Sequence, residues 1–212
     1  MSDEYEATTS RADLRALLGV GRFPGFDQPV DTQLAADSTG LVVRAASDGT
    51  REALPMRWGF PPPPTTGARP VTTVRHTGSA YWKAWLAPPQ RCVVPATAFC
   101  LWTDAAPKRR VWFGRAGEAA PFCFAGLWRP WHGIRGTRAA PVDGDHLLYA
   151  FLTTTPNDVV RPVTAKAMPL VLTTAEEIDV WLRAPAKEAL GLQRPAGGDR
   201  LVVRAEPDAE PR

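Results

Sequence analysis

The residues with the most immediate chemical potential stand at the start of the chain, MSDEYEATTS. Ser2 is small enough for the initiator Met1 to be removed, which leaves a free α-amine beside a hydroxyl. Such an amine has a pKa near ~8 and keeps a usable neutral fraction at neutral pH, so it can add reversibly to an aldehyde as a Schiff base. The serine oxygen is a far poorer nucleophile than a thiolate. A frayed, functionless terminus is the plainer expectation. Elsewhere the usual catalytic side chains are sparse. There are three histidines, His76, His132 and His146, and none is paired by sequence with a Cys or Ser, so each reads as a surface or core residue. Cys92, Cys100 and Cys123 are odd in number and lack C-x-x-C spacing, which argues against a disulfide framework and against a zinc site. The sequence has no P-loop, G-x-S-x-G, H-E-x-x-H or dinucleotide fingerprint. Neither a metal nor a cofactor is expected, and a reducing cytoplasm suits three free thiols.

Charge and flat rings are the more informative signal. The 212 residues carry a net charge of +3, but the balance is uneven. From Arg51 to Arg138 there are thirteen Lys/Arg and three Asp/Glu, a surplus of +10, which leaves −7 for the rest. Seven of the eight tryptophans fall in the same stretch: Trp58, Trp82, Trp85, Trp102, Trp112, Trp128 and Trp131. Cations bind phosphates and aromatic rings stack on bases, so the interleaving suits single-stranded nucleic acid. A Trp-rich core under a solvated basic surface is the competing explanation. Hydrophobic residues at 44% and charged residues at 22% are ordinary for a soluble globular protein. No apolar run approaches the length of a membrane span, and the acidic start is wrong for a secretory signal.

These residues must be positioned by regular elements. SRADLRALLGV reads as a helix capped by Ser10, with Leu14, Leu17 and Leu18 on one face and Gly19 at its end. Residues 41–46 and 52–60 read as strands joined by the turn signal SDGT. PPPP at 61–64 interrupts regular structure. Residues 79–86 have helical spacing over a Ser79 cap. RCVVPATAFCLWT (91–103) reads as a strand, a proline break and a second strand. VWFGR, PFCFAGLW and HLLYAFLTT are further strands by aromatic and branched content. Residues 132–145 read as a Gly/Arg/Pro-rich surface loop, and PLVL (169–172) as one short buried strand. TTAEEIDVWL opens with a capping box, Thr174 with Glu177, and RLVVRA (200–205) closes the domain. The expectation is one α+β domain over 1–205, a mostly antiparallel sheet or barrel core with a few packed helices. A disordered tail over 206–212 follows.

Several stretches are specific in combination: MRWGFP (56–61), RCVVPATAF (91–99), FAGLW (124–128), LTTTPN (152–157) and KAMPLVLT (166–173). Together with the N-terminus, in this order and spacing, they resemble the SOS-response-associated peptidase family, the abasic-site-crosslinking proteins, over nearly the whole chain. The resemblance implies binding to single-stranded DNA, often at a junction with duplex. In that family a cysteine follows the removed methionine, and its amine and thiol condense with the aldehyde of an abasic site into a thiazolidine. An asparagine and an arginine in an N-x-R stretch hold the site and its phosphate. A glutamate and a histidine handle protons and ring opening. A peptidase activity that removes a propeptide is inferred for some members.

Carried over residue by residue, the reactive positions are replaced. The cysteine position holds Ser2, the asparagine position Thr73, the glutamate position Leu101 and the histidine position Thr164. Arg75 is kept, as are Trp58, Trp102 and Lys166. Proton transfers contribute about a hundredfold or more each, so their loss points to a catalytically degenerate member that keeps DNA contacts through Trp58, Arg75, Trp102 and Lys166. Two alternatives stand beside it: an active abasic-site protein using the Ser2 amine, and a partner-binding module that has lost DNA binding as well. A monomer is expected in the cytoplasm, with association to the nucleoid at damaged DNA.

Overall fold

The computed structural model describes residues 4–27, 29–62, 69–115 and 121–204. Its elements are β1 (Glu4–Glu6), α1 (Arg11–Leu18), β2 (Val20–Arg22), β3 (Gln33–Ala35), β4 (Thr39–Ala45), β5 (Arg51–Trp58), β6 (Thr73–Val74), α2 (Ala80–Lys83), β7 (Arg91–Ala96), β8 (Ala98–Trp102), β9 (Arg110–Arg115), β10 (Phe122–Gly136), β11 (Pro141–Thr154), β12 (Met168–Pro169), β13 (Val171–Leu172), α3 (Ala175–Arg183), α4 (Ala186–Leu190) and β14 (Leu201–Arg204). Nine strands form one sheet whose main path is β12-β11-β10-β7-β4-β5-β2. Because β5 pairs with β4 and also, in parallel, with β11 through Leu148↔Arg57 and Tyr149↔Trp58, five of these strands close into a ring. The other sheet runs β14-β9-β8-β1-β3. Most pairings are antiparallel, as the sequence predicts.

Alternation of side chains along a strand sends neighbours to opposite faces. Val43, Val93, Ala125 and Leu148 pack with Leu14, Trp82 and Trp181 in the cluster that includes the helices. Val42, Val94, Phe124 and Tyr149 pack with Tyr5, Phe99 and Phe113 of the second sheet. Strands covered on both faces read as continuous apolar runs, which is why LVV and CVV carry no polar alternation. The shared clusters make the described residues one domain.

Two helices form as their caps dictate. The Ser10 hydroxyl accepts the Asp13 N–H at 3.1 Å while the Asp13 carboxylate accepts the Ser10 N–H, and Gly19 ends α1 in the left-handed region at φ 60°. Leu14 and Leu18 are buried, but Leu17 is 48% exposed, so the apolar face is narrower than three leucines suggest. Thr174 and Glu177 cap α3 reciprocally.

Other expectations are corrected. The helix at 79–86 is a single turn, Ala80–Lys83, and Ser79 makes no side-chain cap. The break between β7 and β8 falls at Thr97, not at Pro95, which sits inside β7 opposite Cys123. β4 pairs with β7 only at Cys92 and Val93, so no partner strand there needs the N–H that proline lacks. Residues 132–145 are not a loop: β10 and β11 continue as a hairpin paired from Gly126↔Phe151 out to Gly136↔Pro141. PLVL is two strands, β12 on β11 and β13 on β10, wedged where that hairpin splays. Pro63, Pro64 and the tail 206–212 lie outside the described residues.

The arm formed by that hairpin is fastened by Asp37. This residue has φ 73°, a conformation that Asp tolerates better than most. Its carboxylate accepts Arg135 Nε at 2.8 Å, Arg57 Nη1 at 3.1 Å and the Gly136 N–H at 2.9 Å. Its own N–H donates to the Trp58 carbonyl at 2.8 Å. Next to it, Gly59 has φ 117°, and a Cβ there would stand 2.6 Å from Pro70 Cβ. Arg135 is buried, so Asp37→Ala strands a guanidinium without its carboxylate. Breaking a buried pair from one side costs about 3–5 kcal/mol, and the partial exposure of Asp37 puts the expected loss at the lower end. Urea unfolding should show the midpoint falling with an unchanged slope; an unaltered midpoint would contradict the fastening role.

Candidate functional site

Ser2 lies outside the described residues. The chain enters at β1, held between two strands by Glu4↔Cys100 and Glu4↔Ala35. Tyr5 is buried beneath, and its hydroxyl meets the Tyr149 hydroxyl at 2.5 Å. Its ring makes edge contacts with Trp58, Phe124 and Phe151.

Trp58 belongs to this core. It has no exposed surface and stacks on Phe151 at 5.2 Å and on Tyr149 at 6.4 Å. It therefore offers no face to a base, which corrects its place among the expected DNA contacts. Its indole N–H instead donates to the Thr72 carbonyl at 3.0 Å. That bond fixes the chain one residue before Thr73, which pairs with Phe151 in β6. Arg75 follows, exposed. Its carbonyl accepts from Gln193 Nε2 at 3.1 Å, and the same amide nitrogen donates to the Thr153 carbonyl at 2.9 Å.

Leu101 and Trp102 are successive residues of β8 with opposite fates. Leu101 is fully buried in the cluster that holds Tyr5, Trp58 and Phe113. Trp102 is 41% exposed at the strand's end. Opposite it stands Arg110, which pairs with Glu4 at 3.1 Å.

Immediately beyond, Asp104 gathers the 163–166 segment. Its Oδ2 accepts the Thr164 hydroxyl at 3.1 Å and the Ala165 N–H at 2.8 Å. Its Oδ1 pairs with Lys166 Nζ at 3.2 Å, and its N–H donates to the Val163 carbonyl at 2.9 Å. Lys108 Nζ donates to the carbonyls of Thr103 and Asp104. The Ala165 N–H foremost, then Lys166 and Thr164, hold the Asp104 carboxyl below its ordinary range. The loop reaches this place through Asn157, which is buried. Its Oδ1 accepts the Val160 N–H, and its Nδ2 donates to the Ala196 carbonyl.

Asp104, two residues after Trp102, thus ties Thr164 and Lys166 to the end of β8, with Arg110 opposite Trp102. Thr73 and Arg75 lie on the neighbouring element, toward the end of β11 where Thr154 pairs with Met168. Asp104, Glu4 and Gln193 are the partners of these positions that sequence reading missed. Asp104 was legible only as a turn-former in TDAAP; its partners are about sixty residues away. Cys92, Cys100 and Cys123 are buried and form no disulfide, and burial raises the thiols of Cys92 and Cys123, the latter up to about 12, so neither of these two is a ready nucleophile.

The geometry now meets the comparisons. The family model described as SOS response associated peptidase (SRAP) matches residues 1–205, and the chain belongs to that family. Membership associates it with the DNA-damage response. Three solved structures share the fold. A protein from Bordetella bronchiseptica has 24% identity and a TM-score of 0.75, with 96% of this chain and 98% of that one covered. A protein from Bacteroides thetaiotaomicron has 18% identity and a TM-score of 0.75, covering 96% and 92%. A phage-related protein, also from Bordetella bronchiseptica, has 18% identity and a TM-score of 0.62, covering 90% and 87%. No curated protein matches the chain. Among the described residues, no helix is long and apolar enough to cross a membrane.

The Asp104 anchor has a calculable pH window. A carboxyl whose folded pKa is depressed contributes fully above its unfolded value, ~3.9, and loses that contribution as pH falls through the lower folded value. The Ala165 amide should therefore show no titration between pH 5 and 8. Its NMR shift should move with a midpoint below the ordinary Asp value; a midpoint above it would mean that the hydrogen bond is absent.

Proposed function

We propose that this chain is a single-stranded-DNA-binding member of the SRAP family in which the abasic-site crosslinking chemistry has been lost. The observation that carries this reading is the split between Leu101 and Trp102. The position matching the family's carboxylate is an apolar core residue, whereas the adjacent ring is presented to solvent on a strand opposite Arg110. The Thr164 hydroxyl, at the position matching the family's histidine, donates to Asp104 and has no basic nitrogen to offer. Arg75 and Lys166 are exposed side chains suited to phosphate, and Trp102 to base stacking. The ligand class is a single strand, alone or at a junction with duplex, with or without an abasic site.

Two substitutions separate the contributions. Arg75→Ala should weaken binding uniformly across sequences and flatten the salt dependence by about 0.7 in log–log slope, one phosphate's worth on a single strand. Trp102→Ala should cost about 1–3 kcal/mol with little salt dependence. Anisotropy of a labelled strand at several salt concentrations reads both. Affinity at low salt no better than that of a neutral control protein would remove the DNA-binding reading in favour of a partner-binding module.

Covalent chemistry has its own test. With Ser2 in place of a cysteine, abasic single-stranded DNA should give no heat-stable crosslink on a denaturing gel without reductant. Ser2→Cys alone should restore little, because Leu101 and Thr164 supply no proton-transfer group. Efficient trapping of the wild-type chain by borohydride would instead favour an active Schiff-base mechanism at the Ser2 amine.

A further inference from the structure

We propose that Asp104 sets the anion affinity of this face: it holds Lys166 as an internal counter-ion, and a polyanion engages Lys166 only by exchanging Asp104 for one of its own oxygens. The nucleic-acid part of this statement rests on the function proposed above; the exchange itself does not.

The two carboxylate oxygens of Asp104 have separate partners. Oδ2 receives the Thr164 hydroxyl and the Ala165 N–H, which are loop anchors, and Oδ1 pairs with Lys166 Nζ. The anchors do not depend on Lys166. Asp104 is also fixed through its main chain, by the N–H to the Val163 carbonyl and by Lys108 on its own carbonyl. The carboxylate therefore stays in place when the lysine leaves. Lys166 is free to leave, since its side chain is 67% exposed. An exposed ion pair of this kind is weak and screened by salt, so phosphate oxygens compete for the ammonium on nearly equal terms. The cation nearest the Asp104 anchor is in this way partly cancelled in the free protein, and Asp104 acts as a positioning residue that tunes affinity through Lys166.

Asp104→Asn removes the charge and leaves a side-chain oxygen for Thr164 and Ala165. At low salt the variant should bind a labelled single strand about 2- to 5-fold more tightly, the reciprocal of an exposed pair's usual strength. Its salt slope should steepen by less than one phosphate's worth, ~0.7 on a single strand. It should also elute later from immobilised heparin, a polyanion with no bases. Both gains should vanish in the Lys166→Gln background, the coupling expected of a direct pair. Lys166→Gln alone, in the otherwise intact chain, should shift heparin elution less than Arg75→Ala does, because its charge is already partly cancelled.

The proposal is overturned if Asp104→Asn matches wild type on both probes, or if its gain persists undiminished without Lys166. It also falls if Lys166→Gln alone costs as much as Arg75→Ala; this arm leaves the Asp104 anchor intact. A Lys166-dependent gain on heparin, with no binding of single-stranded DNA by either protein, keeps the exchange and removes the nucleic-acid reading.

Discussion

The Trp58, Thr73–Arg75 and Lys166 side of the candidate site hangs from β11. A backbone strand has donors and acceptors on both edges, and buried ones must be paired. β11 meets this demand with four different strands: β10 along the arm, β5 at Leu148–Tyr149, β6 at Phe151–Leu152 and β12 at Thr153–Thr154. One strand therefore sets the relative positions of Trp58, Thr73, Arg75 and the segment that leads back to Lys166. Tyr149 and Phe151 reinforce this by presenting their rings to Trp58 and Tyr5. A shift of one residue along β11 would exchange its two faces and separate all of these groups at once. The site has this constraint in common with the barrel closure, so folding and site geometry are one problem here.

The charge asymmetry of the sequence is partly dissolved by the fold. Arg51 pairs with Asp179, Arg57 and Arg135 share Asp37, and Arg110 pairs with Glu4. Each of these acids comes from outside the 51–138 stretch that carries the surplus. A run of sequence with a charge of +10 is thus not a surface with a charge of +10. What matters for a polyanion is which cations the acids leave to solvent, and for this stretch that is decided by pairs such as Arg51 with Asp179, 128 residues apart in sequence. The tryptophans divide in the same way. Trp58 and Trp181 are core, with their indole N–H groups on backbone carbonyls, and Arg44 and Arg129 lie over Trp128 and Trp85. Of the two tryptophans expected at the interface, only Trp102 is presented.

Local signals were legible where local physics decides. The Ser10 cap, the Thr174–Glu177 capping box, the Gly19 stop and the SDGT turn each complete their motif within a few residues, and each forms as read. The long hairpin was missed because Gly133, Gly136 and Gly144 punctuate it, yet all three have positive φ values that a twisted, kinked ribbon accommodates. Continuous pairing of its strands satisfies the backbone regardless of composition. β1, β3 and β6 are three residues or fewer, too short for any periodicity, and exist only through pairing with strands distant in sequence. Asp104 was invisible for a related reason: nothing within a few residues marks an acid that serves a loop sixty positions downstream.

The positions expected from the resemblance to match the family's reactive residues also differ in how their side chains are held. Leu101 sits among aromatic rings with no exposed surface, and an ionised carboxylate placed there would have to be desolvated at a cost of several kcal/mol unless new partners formed. Thr164 is nearly buried and committed to Asp104, so an imidazole at this position would have to displace the anchor of its own loop. Thr73, by contrast, is only partly buried on a two-residue strand. Substitutions at the first two positions are thus coupled to the packing around them, and restoring a thiol at residue 2 leaves that packing untouched. The apolar cluster under β8 and the Asp104 anchor are self-consistent as they stand, so a carboxylate at 101 or an imidazole at 164 would each require its surroundings to be rebuilt as well.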